Sequence, residues 1–597
     1  MRDLILLSGL EPAVQDQRLM RFAASMGIST KTVLCQDGRP LTGRLLDEFQ
    51  PAKYCLAVSA KTLAGIFRDP ILAEDLRRLI NDHSEGLLVF GCTASAEQLN
   101  AISRLTSGAV SGITPLDDQP VCFTFPRDAV SFSRQLAGLS FSRRQGEQLS
   151  TFELRNSASD AARVIIAANQ PVFLRIKSGA CEVFLWAGAL PDIDEPLSRD
   201  HGLQDHYDRL IPALIFLRHC FQDSCWHGPK STARLIIDDP LLAEKYGFLD
   251  CGALIKSMQR SKYGTSIAFI PWNYWRTSRR NTSRLFGESS NLAICIHGCD
   301  HTNKEFDARD PALLTRKAGL ALHRMEAQKK RTGTEFEQVM VFPQGLFSTA
   351  AIAALRANNY LAAVNTTCFP TNIGPNDLKV GDLLRPAVTR YDGFPIFQRQ
   401  YPRHLFDCAF DLFLGRPALV VEHHEYFRDG YTTWEGFVAE LYKLEPTLSW
   451  PSLTDQLTRS CLKRCLSNGS VAVQFFTRRF QLVNREPTSV RFALKKQEPD
   501  SSAIERVTID GSSTDFSFEQ GFLKLEVDAD PDQVRNIEII DRVRPHLQPN
   551  GFGVAHNTGV LLRRGLSEFR DNTLVRHGRL LKVAQGIVKG LKVTGDA

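Results

Sequence analysis

At 597 residues the chain is longer than one hydrophobic core can organise, so three or four folded units are expected. A composition of 43% hydrophobic and 23% charged residues is that of a globular protein, not of a disordered or fibrous one. The net charge of +6 is small for this length and the middle of the chain has no concentrated basic face, which argues against a nucleic-acid partner.

The chain opens Met1-Arg2-Asp3 and then runs Leu4–Leu7, too short for the apolar core of a secretory signal and closely flanked by Asp3 and Glu11. It reads as a first strand. No apolar run approaches the roughly 20 residues that cross a bilayer. The 14 cysteines are scattered without a CxxC pair and read as reduced thiols, so a cytoplasmic protein is expected.

Residues 1–228 alternate strand-like runs (Leu4–Leu7, Thr32–Cys35, Tyr54–Val58, Leu87–Phe90) with helical patterns (Gln15–Met26, Ala60–Asn81). That rhythm predicts a Rossmann- or flavodoxin-like α/β domain with a parallel sheet. Ala162–Ala168, Val172–Ile176 and Glu182–Trp186 then read as closely spaced, partly antiparallel strands, closed by a helix over Asp205–Phe221. Leu87–Phe90 leads into Gly91-Cys92-Thr93, a strand-to-helix turn of the kind that exposes nucleophiles, which makes the domain glutamine-amidotransferase-like. No convincing His and acid follow, so Cys92 is expected to be structural and the domain non-catalytic.

Residues 229–460 repeat the alternation. Strands are predicted at Arg234–Ile237, Ser266–Ile270, Leu292–Ile296, Val339–Phe342, Ala362–Val364 and Ala418–Glu422, with helices at Pro311–Thr332 and Thr349–Asn359. The size and rhythm are those of a distorted (β/α) barrel. Residues 468–545 change to short runs separated by turn residues and predict a small β-sandwich. The tail, 546–597, is basic. In it Leu580, Ala584, Ile587, Val588 and Leu591 share a helical face opposite Arg579, Lys582, Lys589 and Lys592, a pattern suited to peripheral contact with an anionic membrane face. The sequence says nothing of oligomeric state.

The chemistry gathers at the C-terminal ends of the barrel strands, the edge where parallel α/β folds build their sites. Arg234–Ile237 runs into Asp238-Asp239-Pro240, two adjacent carboxylates that repel each other unless a cation intervenes. Leu292–Ile296 runs into His297-Gly-Cys-Asp-His301, two imidazoles that can face one ion. Ala418–Val421 runs into Glu422-His423-His424, where alternation lets only one histidine face the barrel mouth. Trp272, just after Ser266–Ile270, could stack on a sugar ring.

With these residues in this order, the stretch 230–455 resembles the polysaccharide deacetylases of the NodB type, carbohydrate esterase family 4. That family has a strand ending in two Asp, an H-[S/T]-x-x-H segment, an R-x-P-[Y/F]-G segment and a late strand ending in a catalytic His. The matching stretches here are Ile236-Ile-Asp-Asp-Pro240, His297-Gly-Cys-Asp-His301, Val341-Phe-Pro-Gln-Gly345 and Ala418-Leu-Val-Val-Glu-His-His424. The resemblance implies a divalent ion, zinc first and cobalt, nickel or manganese as alternatives, held by Asp239, His297 and His301. It implies Asp238 as general base, a backbone N–H near Gln344-Gly345 as oxyanion donor, and His423 or His424 as general acid. The implied reaction is removal of N-acetyl groups from an amino-sugar-containing saccharide or (exo)polysaccharide precursor.

Three positions depart from the pattern: Gly298 replaces Ser/Thr, Val341 replaces the Arg that orients the base, and Gln344 replaces the aromatic. Arg385, in Leu384-Arg-Pro386, is the candidate replacement guanidinium. These departures keep two other readings open: a non-catalytic carbohydrate-binding or scaffolding protein, and a related metal-dependent C–N or ester hydrolase.

Overall fold

The computed structural model describes residues 3–35, 41–48, 53–116, 120–143, 149–155, 160–199, 202–374, 377–542, 551–573 and 575. The N-terminal unit is built on a nine-stranded sheet. Leu4–Ser8, Thr30–Leu34, Tyr54–Ser59 and Ser84–Phe90 are parallel, and Cys181–Trp186 joins them in parallel beside Ser84–Phe90. From there Gln170–Ser178, Ala162–Ala167, Val121–Thr124 and Ser140–Arg143 extend the sheet in antiparallel fashion. Cys92 is fully buried and burial pushes its thiol far above the usual range, so it is not poised as a nucleophile.

The helix Tyr207–Phe221 is buried between this unit and the next. Its Tyr207 ring lies 4.4 Å from Phe410 and its hydroxyl donates to Asp407 at 2.9 Å. One hydrophobic cluster runs from Phe22 and Phe184 of the first unit to Phe410 and Trp434 of the second. The chain changes unit near residue 228, but the core continues across it.

The second unit is a ring of seven parallel strands: β1 (Ala233–Asp238), β2 (Thr265–Phe269), β3 (Leu292–His297), β4 (Val339–Val341), β5 (Ala362–Asn365), β6 (Ile396–Gln398) and β7 (Ala418–His423). They pair in the order β6-β5-β4-β3-β2-β1-β7. Just past β6, Gln400 donates to Leu419 O at 2.8 Å and accepts from Val421 N–H at 2.9 Å, which nearly closes the ring. Six of the strands were expected; β6, three residues long and without alternation, was not.

Side-chain alternation divides the barrel's interior from its exterior. Ile236, Ala268, Cys295, Val341, Val364, Phe397 and Leu419 form one cluster along the axis. Their neighbours Ile237, Ile267, Ile294, Met340, Ala363, Ile396 and Val420 belong to the cluster that packs against the surrounding helices.

Below the barrel, sheets of five and four strands between Cys461 and Asp541 enclose a core that includes Phe475, Phe480, Phe492, Leu523 and Ile537. Its first strand, Cys461–Cys465, precedes the expected start at 468. Residues Val554–Asn572, expected only as part of a basic tail, form a 19-residue helix laid across the opposite, C-terminal end of the barrel. The amphipathic stretch from Arg579 to Lys592 lies outside the described residues. Among the described residues no helix is long and apolar enough to cross a membrane.

Candidate active site

Strand parity delivers most of the site. Two residues beyond Ile236 on the barrel axis is Asp238; two beyond Cys295 is His297; two beyond Phe397 is Arg399; four beyond Leu419 is His423. Period-two alternation therefore turns all four side chains toward the inside of the barrel mouth.

Asp239 should face outward by the same rule, but its φ of +80° places it in the left-handed region and swings the carboxylate back over the mouth. There Oδ1 lies 3.0 Å from His301 Nε2 and 3.4 Å from His297 Nε2. His297 Nδ1 lies 3.0 Å from Val341 O. A carbonyl can only accept, so Nδ1 carries the proton and Nε2 presents its lone pair to the mouth.

One ligand atom from each of Asp239, His297 and His301 falls within 4.8 Å of the others. Asp239 Oδ1 is buried, and apart from the two imidazole nitrogens it has no polar partner among the described residues. Burial opposes charge on Asp239, but His297 and His301 outweigh it and hold the carboxyl well below its usual range. Burial likewise opposes charge on His297, and Asp238 and Asp239 more than offset it. Two imidazole nitrogens, a carboxylate oxygen and an unsatisfied buried atom among them fit a divalent ion of the zinc class.

The loop that carries both histidines is held from behind. Glu305, buried, accepts from the backbone N–H groups of Cys299 (3.1 Å), Asp300 (2.9 Å) and His301 (3.0 Å), and pairs with Lys317 Nζ at 3.0 Å. Gly298 has φ +65°, and a Cβ there would meet Pro343 Cγ at 2.5 Å and Glu305 Oε2 at 2.6 Å. The turn thus has no room for the Ser or Thr of the family pattern.

Asp238 is 3% exposed and grips Arg399 in a two-point pair, both distances 2.7 Å. Burial raises the Asp238 carboxyl, and the Arg399 guanidinium overcomes it, leaving the group below its usual range and ionised at neutral pH. The guanidinium sought at Arg385 comes instead from Arg399, one residue past the unpredicted strand β6. Arg385 itself lies 3.4 Å from Gln497 at the junction with the lower sheets, because its loop leaves the barrel on that side.

The two histidines after β7 diverge as alternation requires. The His423 side chain is 46% exposed, with Nδ1 4.0 Å from Asp239 Oδ2. His424 is buried beside Tyr246, with Nε2 3.7 Å from Asp571 of the C-terminal helix and Nδ1 without a partner among the described residues.

Gly345 N–H is committed to Phe342 O at 3.1 Å, so it does not serve as an oxyanion donor in this conformation. The Gln344 side chain accepts from Lys304 N–H at 3.0 Å. Trp272 is not an open sugar platform: Val560 and Ile270 pack against it and Arg324 lies 4.8 Å over its ring. The exposed aromatic of that loop is Trp275.

No protein-family model matches the sequence, and no curated protein matches it. Among solved structures, the chain is similar to one described as "T48 deacetylase with substrate", at 12% identity and a TM-score of 0.24, over 38% of this chain and 90% of that one. A family 4 carbohydrate esterase from Streptomyces lividans in complex with acetate gives 10% identity and a TM-score of 0.24, over 38% of this chain and 96% of that one. A CE4 family pseudoenzyme from Bacillus anthracis gives 9% identity and a TM-score of 0.25, over 38% of this chain and 66% of that one.

Proposed function

We propose that the barrel mouth is the active site of a metal-dependent amide hydrolase that removes N-acetyl groups from an amino-sugar-containing saccharide. The observation that carries this reading is a juxtaposition. Asp239, His297 and His301 present an unsatisfied set of metal donors, and beside them Asp238 is held ionised by Arg399.

A divalent ion held by Asp239, His297 and His301 would supply Lewis acidity, lowering the pKa of a water and polarising the acyl carbonyl. Asp238, ionised and fixed by two hydrogen bonds from Arg399, accepts the proton that the attacking water loses. Arg399 keeps the carboxylate pointed into the mouth, so little rotamer freedom is lost when substrate arrives. An amine is a poor leaving group and must depart protonated. His423, on the inner side of β7 and open to the mouth, donates that proton.

The test is acetate release from N-acetylhexosamine oligomers by metal-loaded protein, alongside Asp238→Asn. Release that depends on Asp238 supports the reading. No release from a broad panel of N-acetylated sugars, with one metal ion bound per chain, overturns it.

A further inference from the structure

The helix Val554–Asn572 is anchored to the loops that follow β1, β2, β3 and β7. His556 Nε2 lies 3.0 Å from Asp300 Oδ2, and Val560 is buried against Ile270 and Trp272. Glu568 takes Arg276 in a two-point pair, with Nη2–Oε2 at 2.6 Å. Asp571 accepts from the Tyr246 hydroxyl at 2.7 Å and Asn572 from Gly247 N–H at 2.8 Å. Positions 556, 560, 564, 568 and 571 recur every three or four residues, so one helix face meets the mouth.

Arg564 stands at the centre of that face, 2% exposed, and among the described residues its Nε and Nη2 have no hydrogen-bonding partner. The acids on this helix face and in the loop after β3 that it covers are already matched: Glu568 by Arg276, Asp300 by Arg324, Lys317 and His556, and Asp571 by Tyr246 and Arg570. A buried guanidinium without a counter-anion is unfavourable in the free protein and becomes favourable once a ligand supplies one.

We infer that Arg564 is the anion-binding arm of the saccharide subsite. On the deacetylase reading above, the substrate carries a carboxylate or phosphate near its N-acetylated sugar, and Arg564 pairs with it in the planar, two-point manner a guanidinium allows. The C-terminal helix then supplies substrate specificity as well as a roof for the mouth.

The experiment is calorimetric titration of the full chain with an N-acetylglucosamine–glucuronic acid disaccharide, with N-acetylglucosamine 6-phosphate and with neutral N,N′-diacetylchitobiose. At least one acidic ligand is expected to bind roughly tenfold or more tightly than the neutral one, and which of the two wins identifies carboxylate or phosphate. In Arg564→Gln that advantage falls to about twofold or less, while Arg564→Lys keeps part of it. Melting temperatures accompany the titrations: Arg564→Gln is expected to melt at or above the wild type, having lost an unpaired buried charge. Equal binding of acidic and neutral ligands by the wild-type chain overturns the inference, as does an undiminished preference in Arg564→Gln. Because binding is read without turnover, a chain that prefers acidic ligands yet releases no acetate retires the deacetylase reading and leaves the subsite standing.

Discussion

Two groups of metal-capable side chains meet at the loop after β3, the first completed by Asp239 from the end of β1, and they differ in whether their charges are already matched. Asp239, His297 and His301 leave a buried carboxylate oxygen faced, among the described residues, only by the two imidazole nitrogens that would share its ion. Cys299, Asp300 and Glu305 are equally close together, but Lys317, Arg324 and His556 already neutralise their carboxylates, and burial holds the Cys299 thiol protonated. The donor atoms are similarly close together in both. Unmet coordination belongs to the first alone. The second group is a buttress, whose backbone hydrogen bonds to Glu305 hold His301 in place.

The contrast can be broken experimentally. Replacing Asp239 by Asn or His297 by Ala should abolish stoichiometric metal and lower acetate release by roughly 10³-fold or more, since a three-donor site loses its anchorage. Elemental analysis and turnover check this, and full metal content in both variants would dismantle the assignment. Asp238→Asn should keep the metal and lose about 10²–10⁴-fold in turnover, the range for a general base.

Glu305→Gln tests the buttress. It leaves Lys317 buried with only Asp300, 3.8 Å away, to match its charge and should cost about 3–5 kcal/mol of stability. One metal ion per chain should still bind, weakened by roughly 10–100-fold as for an outer-shell change. Denaturant unfolding and metal titration separate the two effects. If Glu305→Gln loses metal as completely as His297→Ala, the distinction between the groups collapses.

The smallest effect is expected at Asp571. Burial opposes its charge, but His424, Arg570 and Tyr246 outweigh that and bring the carboxyl down to about 2. A depressed carboxyl stabilises the docked helix above the unfolded pKa of about 4, and that contribution is lost as pH falls toward 2. Asp571→Asn at neutral pH should therefore loosen the helix by about 2 kcal/mol, from a shift of nearly two pKa units. Hydrogen exchange should show roughly 30-fold faster opening of Val554–Asn572 at pH 7 and a narrowing gap between variant and wild type below pH 4.

Several site positions were legible because a strand's alternation is local. Apolar β1, β3 and β7 each run straight into polar residues, so Asp238, His297 and His423 could be placed at a barrel mouth from their own neighbours. The divergence of His423 and His424 followed from the same rule. Arg399 was not legible: β6 is three residues long, its pattern is too brief to register, and the partner Asp238 lies 161 residues away. The faint signal was Phe397, whose parity aims Arg399 inward once a strand is granted. Trp272 was legible as an aromatic at the right edge, but its cover, Val560, is brought in only by the last helix.

What the sequence by itself determined is thus the alternating α/β plan of the barrel and the strand ends that hold the donors. Both depend on residues within a few positions of one another, where backbone geometry alone sets direction. The tertiary structure decided the identity of the guanidinium on Asp238, the direction of Asp239 through its left-handed backbone, the diversion of His424 to Asp571, and the roof over the mouth. Apart from the Asp239 backbone, these are pairings of charge and packing across 147 to 325 residues, made only when the ring closes and the C-terminal helix docks.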